Sequence, residues 1–212
     1  LVCGSAAIAA VASAERDAPP ALPPSCRTRC ATPFGEALGR SLGVVAYSNC
    51  RADCVAPLRH AVNGTYTGLA WQCVEYARRW LLVNTGTVFG DVDIAARIWT
   101  QVNHLTRVPD GAAVPLATVP NGAAKAPQVG DLLVYAEALY GTGHVAVVLG
   151  VDADRQRVRV GEQNFYNKPW PAFSAREIAY AERDGGVWIR DAHVLGWKHA
   201  LLPAAAAPIR VM

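Results

Sequence analysis

Runs of like charge are missing from this sequence. Its 20 Lys and Arg are scattered among 17 Asp and Glu, leaving a net charge of +3. No basic cluster and no strip of basic residues interleaved with aromatics is present, which excludes nucleic acid as an expected partner. Nothing repeats at the period of a solenoid or propeller. The apolar opening, Leu1 to Ala14, is too short to span a membrane. Charged residues make up only 17% of the chain and apolar ones 52% of its 212 residues, enough for one well-buried core. One domain is the expectation.

Residues 1–14 are small and apolar and end in Ala12-Ser13-Ala14, as a secretory h-region ends in its cleavage site. They read as the remnant of a signal, or else as an Ala-rich leader. Residues 15–32 hold Pro19-Pro20 and Pro23-Pro24 and read as a semi-rigid linker carrying a cysteine pair. Residues 203–212 read as an Ala/Pro tail. If Cys3 leaves with the signal, Cys26, Cys30, Cys50, Cys54 and Cys73 remain: two possible pairs and one odd thiol. The four paired candidates allow three connectivities, Cys26 with Cys54 and Cys30 with Cys50 among them, and a zinc site is the competing reading. Bridges would place the protein in an oxidising, exported compartment.

Between these ends the pattern is helical first and β later. Val74, Ala77, Leu81 and Leu82 form a stripe on a helix that opens near Cys73 and closes at Asn84-Thr85-Gly86. Val92, Ala95, Ala96, Trp99 and Val102 predict a second helix, with Asp91 as its N-cap and Trp99 in the core. Val44–Ser48 predicts a short strand beside the cleft. Asn63-Gly64-Thr65 is a turn signal and also a glycosylation sequon. Pro, Gly and Ala between Val108 and Gln128 predict an ordered loop. Strands are expected at 131–135, 144–149 and 158–160, and a later pair at 187–190 and 194–197 closes the sheet. Helices before a curled antiparallel sheet make an α+β fold.

Cys73 at a helix start is well placed for a nucleophile, because the helix N-terminus and a neighbouring imidazolium lower a thiol's pKa. His144 and Glu162 each extend the apolar face of a strand to its end. A half-buried histidine and a half-buried glutamate are costly unless paired, so the two are expected to hydrogen bond to each other. The chemistry implied is acyl transfer: thiolate attack by Cys73, proton transfer by His144, and orientation by Glu162. The Cys73 backbone N–H, with Gln72 as a second contributor, would hold the oxyanion. His60, His104, His193 and His199 have no comparable setting.

Taken in order, Trp71-Gln72-Cys73-Val74-Glu75-Tyr76-Ala77-Arg78-Arg79-Trp80-Leu81, then Gly130-Asp131-Leu132-Leu133-Val134-Tyr135, Thr142-Gly143-His144-Val145-Ala146-Val147-Val148 and Val158-Arg159-Val160-Gly161-Glu162-Gln163-Asn164 resemble the CHAP family of cysteine amidases. The likeness is to its glutathionylspermidine- and trypanothione-linked branch and covers residues 33–202. The resemblance implies a papain-like (NlpC/P60-type) α+β fold with N-terminal helices packed on the sheet. It implies catalytic Cys73, His144 and Glu162, Arg78 at the peptide end of the substrate, and Asn164 after the acidic residue. It implies no cofactor and no metal, and a monomer acting on a small peptide–polyamine conjugate. An exported chain with paired cysteines raises cell-wall peptide as the other substrate, and a non-catalytic binding module is the third reading.

Overall fold

Two-residue turns with a left-handed backbone build the first third of the fold, which a computed structural model describes over residues 21–201. The signal remnant at 1–14, the start of the linker and the tail at 203–212 lie outside the described residues. Leu42 and Gly43, at φ 46° and 81°, join β1 (Ala37–Ser41) to β2 (Val44–Tyr47), so the expected strand is one arm of a hairpin. Asn63 and Gly64, at φ 48° and 80°, join β3 (Arg59–Val62) to β4 (Thr65–Leu69). Both are the turn conformation that matches the right-handed twist of paired strands.

Cys26 is bonded to Cys54 and Cys30 to Cys50. One of the three open pairings is therefore the one formed, and the zinc alternative for these sulfurs falls. The bridges span 28 and 20 residues of chain, and opening either should cost about 3 kcal/mol on chain-entropy grounds. A Cys30→Ser/Cys50→Ser variant is expected to unfold at correspondingly lower urea. An unchanged midpoint would mean that packing alone holds this cap.

Helix α1 (Cys73–Thr85) ends on Gly86, whose φ of 67° lets its N–H reach the Leu82 carbonyl. Its buried surface is wider than the expected stripe, because Tyr76 and Trp80 join Ala77 and Leu81 in the core while Val74 is only half-buried. β5 (Thr87–Val88) follows. The second helix shrinks to a 3₁₀ turn at Ala95–Arg97 and the single turn α2 (Ile98–Gln101). Two contacts explain this correction: Arg78 occupies the Asp91 carboxylate, and the Ala96 N–H donates to the Thr142 carbonyl rather than into a helix. Trp99 packs half-buried against the core, as expected.

The loop expected between 108 and 128 is another correction. After β6 (His104–Arg107), residues Ala113–Pro120 form β7, paired with β6 at 113–115 and with a later strand at 116–120. Pro115 and Pro120 stand at the ends of those two ladders, where the missing N–H costs least. β8 (Leu132–Tyr135), β9 (His144–Asp152) and β10 (Arg157–Gly161) run successively antiparallel, as their alternation predicts. β11 (Arg176–Arg183), β12 (Gly186–Ile189) and β13 (Val194–Ala200) complete a nine-stranded sheet in the order β12-β11-β10-β9-β8-β13-β7-β6-β5. The two strands expected to close it do not pair with each other: β12 is an edge, and β13 inserts between β8 and β7.

One sheet face carries Leu132, Val134, Val145 and Val147 against Tyr76, Ala77 and Trp80 of α1. The other curls around Leu133, Ala146, Val148, Val158, Val160 and Trp197. Hydrogen bonds between Val187 and residues 122–123 bring the β12 edge round to the end of β7. The result, among the described residues, is a sheet-rich α+β fold with one three-turn helix, and its functional consequence is that the start of α1 meets the start of β9.

Candidate active site

Cys73 is the first residue of α1, and the chain reaches it by an unusually close approach. Gly68 of β4, at φ 142°, lies where an added Cβ would sit 3.0 Å from Cα of Glu75. That contact holds the last strand of the hairpin against the first helical turn. The thiol is 8% exposed and is the free cysteine among the described residues. The backbone N–H groups of Val74 and Val145 stabilise its thiolate form.

His144, 1% exposed, opens β9 directly across from it. Its Nε2 lies 2.9 Å from Oε2 of Glu162, which leaves Nδ1 for the sulfur. Burial pushes the Cys73 thiol up, but the charge and hydrogen bond of His144, aided by the two N–H groups, outweigh burial and hold it below the ordinary thiol range. Burial pulls His144 down, and the thiolate and Glu162 together raise it to about 9. Burial pushes Glu162 up, and His144 and Arg176 bring it below the usual carboxylate value. These directions describe a thiolate–imidazolium pair backed by an ionised carboxylate.

Arg176 is the residue that sequence reasoning missed. It donates from Nε to Oε1 of Glu162, from Nη2 to Oε2 at 3.2 Å, and from Nη1 to Asp191 at 2.8 Å. Tyr135 accepts from Arg176 and donates to Asp191, both at 2.9 Å. Phe165 covers the guanidinium at 4.0 Å and the His144 ring at 4.9 Å between centroids. The imidazole is thus fixed by charge on one edge and by aromatic faces on the other.

Gln72 and Asn164 lie side by side. Nδ2 of Asn164 donates to Oε1 of Gln72 at 2.9 Å, while Nε2 of Gln72 donates to the Cys54 carbonyl at 2.7 Å. The disulfide cap therefore grips the residue before the nucleophile. Below them Glu75, fully buried, accepts from Arg79, Thr67 and Gln163 and pairs with Nδ1 of His60 at 2.9 Å, while Gln163 donates to the Gln72 carbonyl. His60 accordingly supports the site, a role its sequence context did not signal. Arg78 does not line the cleft. It is buried beneath it, donating to Asp91 at 2.9 Å and to the Tyr66 carbonyl at 3.1 Å.

The cleft, about 650 Å³, has Cys73 and His144 at its floor and two walls. Ala52, Asp53 and Val55 with Arg59, Tyr66 and Leu69 form one; Asp91–Ala95 with Tyr140, Thr142 and Gly143 form the other. Gly143 has φ 69°, and a Cβ there would meet the Tyr135 carbonyl at 2.6 Å and the Ala96 Cβ at 2.8 Å. Gly143→Ala should displace His144 and cost activity by about 10²-fold. Gly141→Ala, with φ 74° but open space around it, is the control for backbone strain alone. Equal losses in the two would refute the packing argument. Among the described residues no group of three or more His, Cys, Asp or Glu is arranged to hold a metal ion, and no helix is long and apolar enough to cross a membrane.

These features define a class: α+β proteins whose cleft is built around a cysteine at a helix start, facing a carboxylate-backed histidine on an antiparallel sheet. Residues 64–164 match the CHAP domain family, and the chain is a CHAP-domain protein. It is 33% identical over 181 residues to the bifunctional glutathionylspermidine synthetase/amidase of Escherichia coli (strain K12), covering 78% of this chain and 29% of that protein. It is 34% identical over 183 residues to trypanothione synthetase of Crithidia fasciculata, covering 84% and 26% respectively. With glutathionylspermidine synthase of Crithidia fasciculata it shares 36% identity over 154 residues, 69% of this chain and 20% of the relative. The matched region thus spans less than a third of the length of these relatives.

Proposed function

We propose that this protein is a thiol amidohydrolase that cleaves the amide of a small peptide–polyamine conjugate of the glutathionylspermidine type. The observation that carries the proposal is a buried free thiol and a histidine hydrogen-bonded to a buried carboxylate, thiol and imidazole both lining one cleft. The Cys73 thiolate attacks the amide carbon, and the C=O electron pair moves onto oxygen. The backbone N–H of Cys73 and the hydrogen of Gln72 Nε2 not given to Cys54 receive that oxyanion. His144 protonates the departing amine, the C–N bond breaks, and a thioester remains on Cys73. The neutral imidazole then takes a proton from water, whose oxygen attacks the thioester and releases the acid and the thiolate. Glu162 keeps the ring in its useful orientation, and Arg176 keeps Glu162 ionised.

Because His144 must face the leaving nitrogen, the amine half of the substrate lies toward the wall of Asp91–Ala95 and Tyr140–Gly143. Asp93 on that wall, which has no salt-bridge partner among the described residues, favours a cationic leaving amine over a neutral one. The same reading takes residues 33–202 as a papain-like amidase unit and a monomer. The two disulfides support placing it in an oxidising, exported compartment.

The test is product release, followed by mass spectrometry, from glutathionylspermidine and from purified peptidoglycan. Glutathione and spermidine from the first, with nothing from the second, is the expected result. Wall fragments alone would make the protein a wall hydrolase, and no product from either would leave a binding module. The rate should be flat across neutral pH and fall above about 9 as His144 loses its proton. It should also fall on the acid side, where the Cys73 thiolate is protonated at a pH below the ordinary thiol range. A rate still rising beyond pH 9 would contradict the ion pair.

A further inference from the structure

We propose that Arg59 is the specificity-determining residue of the acyl half of the cleft, and that it binds a carboxylate carried by the substrate's peptide portion. This rests on the reading of Cys73 and His144 given above, which orients the substrate. With the leaving amine on the His144 side, the acyl chain runs along the opposite wall, formed by Ala52, Asp53, Val55 and the β3–β4 hairpin. Arg59 stands on that wall and is the one lysine or arginine among the residues that line the cleft.

Its guanidinium carbon sits over the Tyr66 ring, 3.9 Å from the centroid, a separation that suits stacking. Among the described residues it makes no ion pair and no side-chain hydrogen bond, whereas two of the three cleft-lining aspartates, Asp53 and Asp91, are paired with Arg51 and Arg78. Stacking uses the face of a guanidinium and leaves its in-plane N–H donors free, the geometry that receives a carboxylate with two parallel hydrogen bonds. Tyr66 is itself fixed, because its carbonyl accepts from the buried Arg78, whose guanidinium lies 5.3 Å from the same ring. The platform is therefore set before substrate arrives, so little ordering cost remains on binding. Arg78 holds Tyr66, and Tyr66 presents Arg59. The arginine expected at the peptide end of the substrate is thus displaced from α1 to β3, where it can reach solvent and ligand.

The experiment uses the full chain carrying Cys73→Ala, so that no turnover occurs. Two ligands are titrated by calorimetry: S-methylglutathione, and the same tripeptide with the γ-glutamyl α-carboxylate replaced by hydrogen. The first should bind at least about tenfold more tightly than the second. Adding Arg59→Ala should make the two bind alike, and Arg59→Lys should restore part of the difference while losing the paired geometry. Thermal melts confirm folding, which an exposed strand residue should not disturb. Equal binding of the two ligands to the Arg59 protein, no binding of either, or a preference that survives Arg59→Ala would each overturn the proposal. If Arg59-dependent binding is seen while the Cys73 protein cleaves no amide, the hydrolase reading fails and the subsite stands. If amides are cleaved without Arg59-dependent discrimination, the subsite fails and the hydrolase stands.

Discussion

Replacing Cys73 with alanine is expected to lower kcat/KM for amide cleavage by at least about 10⁴-fold, leaving only what a binding cleft without a nucleophile can supply. The size of the effect follows from the site's construction. The thiol lies below its ordinary pKa because a buried imidazolium stands beside it, and the imidazolium persists to about pH 9 because the thiolate stands beside it in turn. Neither partner is useful alone. His144→Ala should therefore cost nearly as much as Cys73→Ala, and the double variant should be hardly worse than either single one. Steady-state kinetics on the parent, both singles and the double check this directly. Additive losses would mean that the two residues act independently, which the shared proton forbids.

Replacing Arg176 with methionine should destabilise the fold by about 3–5 kcal/mol at neutral pH, the range for stranding a buried charge. Glu162, 3% exposed, would keep only His144 as its ionic partner, and Asp191 would lose its own. The pH dependence gives the sign. Glu162 is held below its usual carboxylate value, so its stabilisation is present above that value and disappears as pH falls through the depressed one. The gap between parent and variant should accordingly narrow in acid. His144 behaves oppositely: its folded pKa is raised to about 9 from an ordinary 6.5, so its contribution is full below 6.5 and is lost as pH rises through 9. Urea unfolding at several pH values measures both. A variant as stable as the parent at neutral pH would show that Arg176 is a surface charge with no hold on the site.

The features legible in the amino-acid sequence are local ones. Cys73, His144 and Glu162 each sit at the end of a regular element, where the break between apolar periodicity and a single polar residue is visible, and their pairing follows from the cost of burying them apart. The cysteine count separates Cys73 from the other thiols in the same way. Arg176 leaves no such mark. It joins the site only because β10 and β11 pair with Val160 opposite Arg176, bringing a residue 14 positions later in the chain beside Glu162. Asp191 and Tyr135 depend on that register too. The second helix fails because periodicity says nothing about competing partners: the Thr142 carbonyl and the Arg78 guanidinium take the groups a helix start would have used. β7 is hidden by its prolines, which read as loop until the two half-ladders show where each missing N–H falls.

The most direct measurement is mass analysis of the protein quenched during reaction with glutathionylspermidine. The account predicts a glutathionyl thioester on the peptide containing Cys73, released by hydroxylamine, together with spermidine formation that is absent from the Cys73→Ala protein. Spermidine release that continues undiminished without Cys73 would contradict it.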